Sequence, residues 1–496
     1  LKLLLYNPVS NGARKRIMPF SVLAIGAALD GLFEYEIVDG NAEADPARTL
    51  SARIGRGDIT VFGVTVMPGP QLEDGYAQTK MLRATFPRLL TIWGGYFATE
   101  HTETCVSSGL VDFSIRGHGE EAIVHLLTRI LKGADPRDEA SAPPQGVAYR
   151  RRDGSLAIGP VARVPNPGAL PDFPFHKIDV AAYPRPTFLG SRTLGYHSSY
   201  GCPFLCNFCG VVSLTSGRWE AQSPERVERV LSRYAREWGV NAVEFYDNNF
   251  FTYEARCREI AERIAPLKFR WWGEGRIDTL LKFSDTTWRA MRESGLTMVF
   301  LGAESGSAET LARMKKGGAL TPQMTLDLAA RMHSFGVVPE FSFVLGNPPD
   351  PRQDVETTLS FVKTVKLAHP EAEIVLYQYT PVPVEGDLLN AASSTGFAFP
   401  KTLDEWVNAR WREVSRRNSA QLPWLDAALS LRIQNFRRVL NAYHPTSTDP
   451  GLRGWERRLL RLASSWRYRH DVYAMPIELR LLQRVLRYQR PETAGF

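Results

Sequence analysis

Cysteine is scarce in this sequence, with five residues in 496, too few for a disulfide scaffold. Long apolar runs are missing, and none reaches the roughly 18 residues that a membrane-spanning helix needs. Low-complexity tracts are also missing and 11% of the residues are aromatic, which excludes a mainly disordered chain. The opening LKLLLYNPVSNG is too short and polar for a signal peptide, so a cytoplasmic protein is expected. Charge is nearly balanced, at 60 Lys and Arg against 53 Asp and Glu. Residues 401–496 hold 18 of the basic and only 9 of the acidic groups, so the rest of the chain is close to neutral. A uniform nucleic-acid-binding field is thereby excluded, and the basic excess belongs to the tail.

What is present is alternation. Short apolar runs at Lys2–Tyr6, Tyr35–Asp39, Ile59–Val66, Leu89–Trp93 and Val111–Arg116 are separated by amphipathic stretches. Five buried strands with crossover helices predict a doubly wound parallel sheet over residues 1–140, a Rossmann-like α/β domain whose ligands sit beyond the C-terminal strand edges. Residues 141–190 are rich in proline and polar residues and are read as a linker that contains a short hairpin-like stretch, GVAYRRRDGSLAIG at 146–159, with the boundary near Ala140. From 191 to 390 a second series offers six strands, at Leu194–Ser199, Ala242–Tyr246, Arg270–Glu274, Met298–Ala303, Glu340–Leu345 and Glu373–Tyr379. Six βα units are too few for a closed eight-fold barrel and fit a partial (β/α)6 one. Residues 391–496 have helical periodicity at Leu425–Leu440, Trp455–Trp466 and Ile477–Tyr488 and are expected to form an accessory helical domain.

Three of the five cysteines fall within eight residues, in Tyr200-Gly-Cys202-Pro-Phe-Leu-Cys206-Asn-Phe208-Cys209-Gly210. Thiolates favour iron–sulfur clusters and zinc. A structural zinc takes four protein ligands, often as two pairs, but Cys105 and Cys257 are isolated. Three ligands on a four-iron cluster leave one iron open.

This CxxxCxxC loop after the first strand of a partial barrel resembles the signature of radical S-adenosylmethionine (SAM) enzymes. The resemblance implies that Cys202, Cys206 and Cys209 ligate a 4Fe–4S cluster whose open iron chelates SAM, and that reductive cleavage of SAM gives a 5′-deoxyadenosyl radical. Glu244-Phe-Tyr-Asp247-Asn-Asn-Phe250, Gly275-Arg276-Ile-Asp278 and Phe300-Leu-Gly302-Ala-Glu304-Ser-Gly306 resemble the family's strand-end elements. By that likeness Phe208, Asp247, Arg276 and Glu304 are the SAM-binding candidates, carboxylates for its ammonium or ribose and a guanidinium for its carboxylate.

The sheet ahead of the barrel resembles the cobalamin-binding domain of the cobalamin-dependent radical SAM subgroup. The matching loops are Gly63-Val-Thr65-Val66-Met67, Trp93-Gly94-Gly95-Tyr96 and Arg116-Gly117-His118-Gly119-Glu120. They nominate Thr65, Val66, Met67, Gly94, Gly95, Tyr96, Gly117 and Glu120 as cobalamin-binding. The Asp-x-His-x-x-Gly motif that supplies a cobalt-ligating histidine in many cobalamin domains is absent, and the loop after the first strand reads Asn7-Pro-Val-Ser-Asn-Gly12. His101 and His118 are read as loop residues without a role.

The pattern is similar to the group around the anaerobic magnesium-protoporphyrin ester cyclase, which contains methylases and oxidative cyclases. It implies C-methylation at an unactivated carbon of a small-molecule substrate through methylcobalamin. An external one-electron reductant of the flavodoxin or ferredoxin type is implied as partner. Cyclisation or rearrangement without net methylation is the alternative, and RNA modification a further one. RNA modifiers with this barrel carry a second cysteine set and a small β-rich domain, and neither is visible.

Overall fold

The computed structural model describes residues 1–10, 16–138, 142–316, 320–415, 422–446 and 452–486. The first five strands are β1 (Lys2–Asn7), β2 (Glu34–Asp39), β3 (Val61–Thr65), β4 (Leu90–Gly94) and β5 (Phe113–Ile115). They pair in parallel in the order β2-β1-β3-β4-β5. Alternate residues of one strand feed two different cores. Leu3 and Leu5 join Ile37, Val61, Ile92 and Phe113 on one face, while Leu4 and Tyr6 join Val38, Phe62, Val64 and Trp93 on the other. Each face is covered by helices, so strand side chains point into a core in both directions and the sheet is doubly wound. Each fully buried Leu, Val or Phe contributes about 1.5–3 kcal/mol.

The structure departs from the sequence reading at the edge of this sheet. Within the expected linker, the hairpin-like stretch forms β6 (Val147–Arg150) and β7 (Leu156–Ile158), which are not a free connection but extend the sheet antiparallel to seven strands. Tyr149 packs edge-on against Phe113 of β5, giving the hairpin an apolar anchor that its polar sequence hides. The expected boundary at Ala140 lies outside the described residues.

The second series comprises β8 (Thr193–Tyr196), β9 (Ser199–Gly201), β10 (Trp219–Ala221), β11 (Ala242–Phe245), β12 (Arg270–Gly275), β13 (Leu296–Glu304), β14 (Val338–Leu345) and β15 (Glu373–Gln378). Six of these form a parallel sheet in the order β8-β11-β12-β13-β14-β15, a partial barrel. Its return helices begin at polar caps. The side chains of Ser223, Ser284, Ser307, Thr321 and Asp350 each accept a hydrogen bond from the backbone N–H three residues on, each worth about 1 kcal/mol. Leu189 closes the N-terminal end of the barrel against Trp272 and Met298. The C-terminal strand ends are left for ligands.

Helices Ala427–Tyr443, Gly454–Arg469 and Ile477–Leu486 form the expected helical region, and the predicted extension of the last to Tyr488 lies outside the described residues. The Trp424 indole donates to the Gly346 carbonyl just beyond β14 (3.0 Å). Trp406 packs edge-on against Phe97 of the first domain, so this region touches both sheets. Among the described residues no helix is long and apolar enough to cross a membrane.

Candidate active site

The cysteine loop leaves β9 and returns through β10, which pairs antiparallel with it and clasps the loop at its base. Gly201 turns at φ +80°, and a Cβ there would strike the Arg218 carbonyl, so only glycine fits. The Trp219 indole donates to the Asn249 carbonyl (3.1 Å), tying the clasp to the end of β11. The far side of the loop is held by Asn207, whose backbone N–H donates to Met314 and whose side chain donates to the Arg313 carbonyl. All five cysteines are free thiols, and Cys202, Cys206 and Cys209 stand together on this loop. Cys105 and Cys257 lie buried elsewhere. Burial pushes the Cys209 thiol up to about 12 and also raises Cys202. Positive charge is what such thiols need in order to ionise. Arg276 supplies some of it, with its guanidinium 3.4 Å from Cys206 Sγ and stacked on the Phe204 ring. The donor set and its surroundings fit an iron–sulfur cluster.

Arg276 also donates to both oxygens of Asp278 and to the Lys316 carbonyl. Glu304 ends β13 in the left-handed region (φ +64°), and its buried carboxylate pairs with Lys316, which also donates to the Gly302 carbonyl. The Lys316 ammonium lies 5.9 Å from the centre of the Phe208 ring. Arg276, Glu304 and Phe208 are thus gathered at one end of the barrel. Lys316 was not foreseen, because it lies outside every strand-end motif and arrives on the segment after helix Ala308–Arg313. Asp247 is fully buried and accepts hydrogen bonds from the Ser198 N–H (2.6 Å), the Ser198 hydroxyl (2.5 Å) and the Ser199 hydroxyl (2.7 Å). It locks the exit of β8 into the loop.

The barrel lumen holds a second unforeseen group. Glu274, Phe300, Glu340 and Glu373 lie side by side across four strands. Phe300 packs with Trp272 against the closed end, so this rung faces inward. Burial, then Glu340 and Asp247, push the Glu274 carboxyl up to about 8, and it enters neutral solution largely protonated. The Trp272 indole donates to Glu340 (3.1 Å).

The loops of the first sheet face the cysteine loop. Tyr96, following Gly94-Gly95, covers Gly210 so closely that a Cβ on Gly210 would fall inside its ring. His118 lies 5.1 Å from Tyr200, ring to ring, and its Nδ1 is 3.9 Å from Glu120. Burial pushes the nearby Glu100 carboxyl up to about 7. Gly95 (φ +91°) and Gly117 (φ +83°) are required by the packing of the loops themselves, since a Cβ would meet Thr65 Oγ1 or the Ala162 carbonyl. Met67 is half exposed at this edge and Thr65 is nearly buried, while Val66 is wholly buried, its N–H donating to the Gly94 carbonyl and its carbonyl accepting from the Phe97 N–H.

Residues 196–362, which span the cysteine loop and most of the barrel, match the radical SAM superfamily. The chain carries a radical SAM domain. A radical SAM enzyme works with a 4Fe–4S cluster and SAM, and Cys202, Cys206 and Cys209 lie within the matched span. A methyltransferase of Pyrococcus horikoshii, itself uncharacterized, is 26% identical over 396 residues, covering 77% of this chain and 81% of the relative. The anaerobic magnesium-protoporphyrin IX monomethyl ester cyclase of Synechocystis is 24% identical over 259 residues, 52% of this chain and half of the cyclase. Among solved structures, the cobalamin-dependent SAM radical enzyme OxsB, with aqua-cobalamin and SAM bound, superposes with a TM-score of 0.66 at 15% identity, covering 98% of this chain and 75% of OxsB. That likeness extends the shared fold of this radical SAM enzyme to both sheets.

Proposed function

We propose that this radical SAM enzyme binds cobalamin between its two sheets and methylates an unactivated carbon of a small molecule. The observation that carries the reading is the approach of the first sheet's loops to the cysteine loop, Tyr96 on Gly210 and His118 on Tyr200. One substrate can then face both cofactors, which is what a transfer between them requires. The cluster with SAM supplies a carbon-centred radical, and cobalamin supplies the methyl group. Relatives support this reading, since one is named a methyltransferase and OxsB was solved with cobalamin.

In this assignment residues 1–140 serve cobalamin, 191–390 serve the cluster and SAM, and 391–496 close the barrel. Arg276 and Glu304, with Phe208 beside them, position SAM, while Asp247 holds the strand end that carries the loop. Met67 and Thr65 line the cobalamin side with Gly94, Gly95, Tyr96, Gly117 and Glu120, and the buried Val66 ties the first two of these loops together. A one-electron reductant of the flavodoxin or ferredoxin class is the partner.

Anaerobic reconstitution followed by product analysis tests this. Methylation requires S-adenosylhomocysteine and deoxyadenosine together, in equal amounts, with methylated product. Deoxyadenosine alone would favour the second reading, cyclisation or rearrangement without net methylation, which the likeness to the magnesium-protoporphyrin cyclase supports.

A further inference from the structure

The C-terminal helices carry a surface remote from this chemistry. In helix Gly454–Arg469, Trp455, Leu459, Leu462 and Trp466 are between 39% and 75% exposed. At 100° per residue they fall within about 60° of the helix circumference and form one apolar ridge. The opposite face is the packed one, with Leu460, Ser464 and Tyr468 buried and Tyr468 stacked on Tyr443. Ile477, Leu481 and Val485 repeat the device on the last helix, at 56–76% exposure, and Met475 is exposed in the turn between.

Arginines flank the apolar residues. Arg458 and Arg469 lie exposed along one side of the ridge, and Arg480 and Arg484 beside the second stripe. The acidic groups nearby are engaged within the fold. Glu478 pairs with Arg467, Asp471 pairs with Lys363 and accepts from Tyr473, and Glu456 accepts from the Arg453 N–H at the helix start. The surface is therefore apolar along its crest and basic along its flank. Tryptophans at both ends of the ridge suit the headgroup level of a bilayer.

We propose that this face lies on a membrane surface containing anionic lipid, with Trp455, Leu459, Leu462 and Trp466 entering the headgroup boundary and the flanking arginines on lipid phosphates. An amphipathic helix of this composition binds by buried apolar area together with attraction to anionic headgroups, and it lies in the interface without crossing it. A second copy of the chain is disfavoured as the occupant, because it would set one arginine flank against another in a region already holding 18 basic and 9 acidic groups. RNA would use the arginines but leave the apolar crest in water.

Co-sedimentation of the full chain with phosphatidylcholine vesicles, with and without phosphatidylglycerol, tests the assignment and needs no loaded cofactor. Capture should require phosphatidylglycerol and weaken in high salt. Leu462→Glu/Trp466→Glu should lower vesicle affinity about tenfold or more, and Arg458→Glu/Arg469→Glu should do so on anionic vesicles. Leu481→Glu on the neighbouring helix is the second probe. All these side chains are exposed, so unfolding curves should not move. No capture, or equal capture by neutral vesicles, would overturn the proposal. A dimer that the ridge variants dissociate, without change in vesicle affinity, would give the face to a second copy. Single-stranded RNA binding lost in the same variants, with no vesicle capture, would give it to nucleic acid.

Discussion

In the first sheet, all five residues of β3 are buried, and β1 is buried from its second residue onward. In the second sheet, β14 has half-exposed residues at Val338, Glu340 and Val344, and β13 at Thr297, Phe300 and Gly302. Both sheets are parallel and both are backed by helices. The difference lies in what covers the second face, helices in the one and only the far wall of a half-closed barrel in the other. A strand buried on both sides can carry ligands only beyond its end, which in the first sheet leaves the loops. A strand open on one side can also act from its middle, and there the barrel places Glu274 and Glu340.

The largest test of this contrast replaces Cys202, Cys206 and Cys209 with alanine. Iron and the brown chromophore should be lost entirely, while the first sheet, which shares none of these ligands, keeps its cobalamin affinity. Loss of that affinity in the triple variant, measured by equilibrium titration, would mean the two halves are not separable. The buried pair at the barrel mouth comes next. Lys316→Ala leaves the Glu304 carboxylate buried and unpaired and should cost about 3–5 kcal/mol in denaturant unfolding, most of it recovered by adding Glu304→Gln. A smaller effect is expected where the sheets meet. Gly210→Ala drives a methyl group into the Tyr96 ring and should cost about 1–3 kcal/mol. Adding Tyr96→Ala makes room for that methyl and should return part of the loss.

The smallest test concerns the lumen alone. Glu274 moves from an ordinary 4.5 to about 8 in the folded chain, so between those values the native state holds a proton that the unfolded state has released. Stability should therefore fall as pH rises from about 4.5 to about 8 and be flat for this group above that. Glu274→Gln should remove one proton from the slope, read as unfolding midpoints against pH. An unchanged slope would place the titration elsewhere.

The strands of both sheets were legible because they are runs of buried apolar residues, and a parallel sheet buried on both faces writes itself as such a run. The turn at 147–158 was legible as a hairpin, but its addition to the first sheet was not, because two short antiparallel strands carrying polar residues do not show which edge they join. The clasp of β9 on β10 was missed for a similar reason, each strand being three residues long. In the site, the cysteines announced themselves by spacing, and Arg276, Asp247 and Glu304 by standing at strand ends. Lys316 had no such mark, and Glu274, although it closes the expected strand Arg270–Glu274, carried no sign of the way it faces. One is brought to Glu304 by a loop, and the other sits inside an aromatic strand whose inward face can be assigned only once the neighbouring strands are in register.

The clasp also bears on how the cysteine loop keeps one shape. Because backbone pairing between Ser199–Gly201 and Trp219–Ala221 closes the loop, and Asn207 moors its far side, much of the entropy of shaping this segment is met by the chain's own hydrogen bonds. The three thiols therefore share one fastening, and loosening either tie would set all of them adrift together.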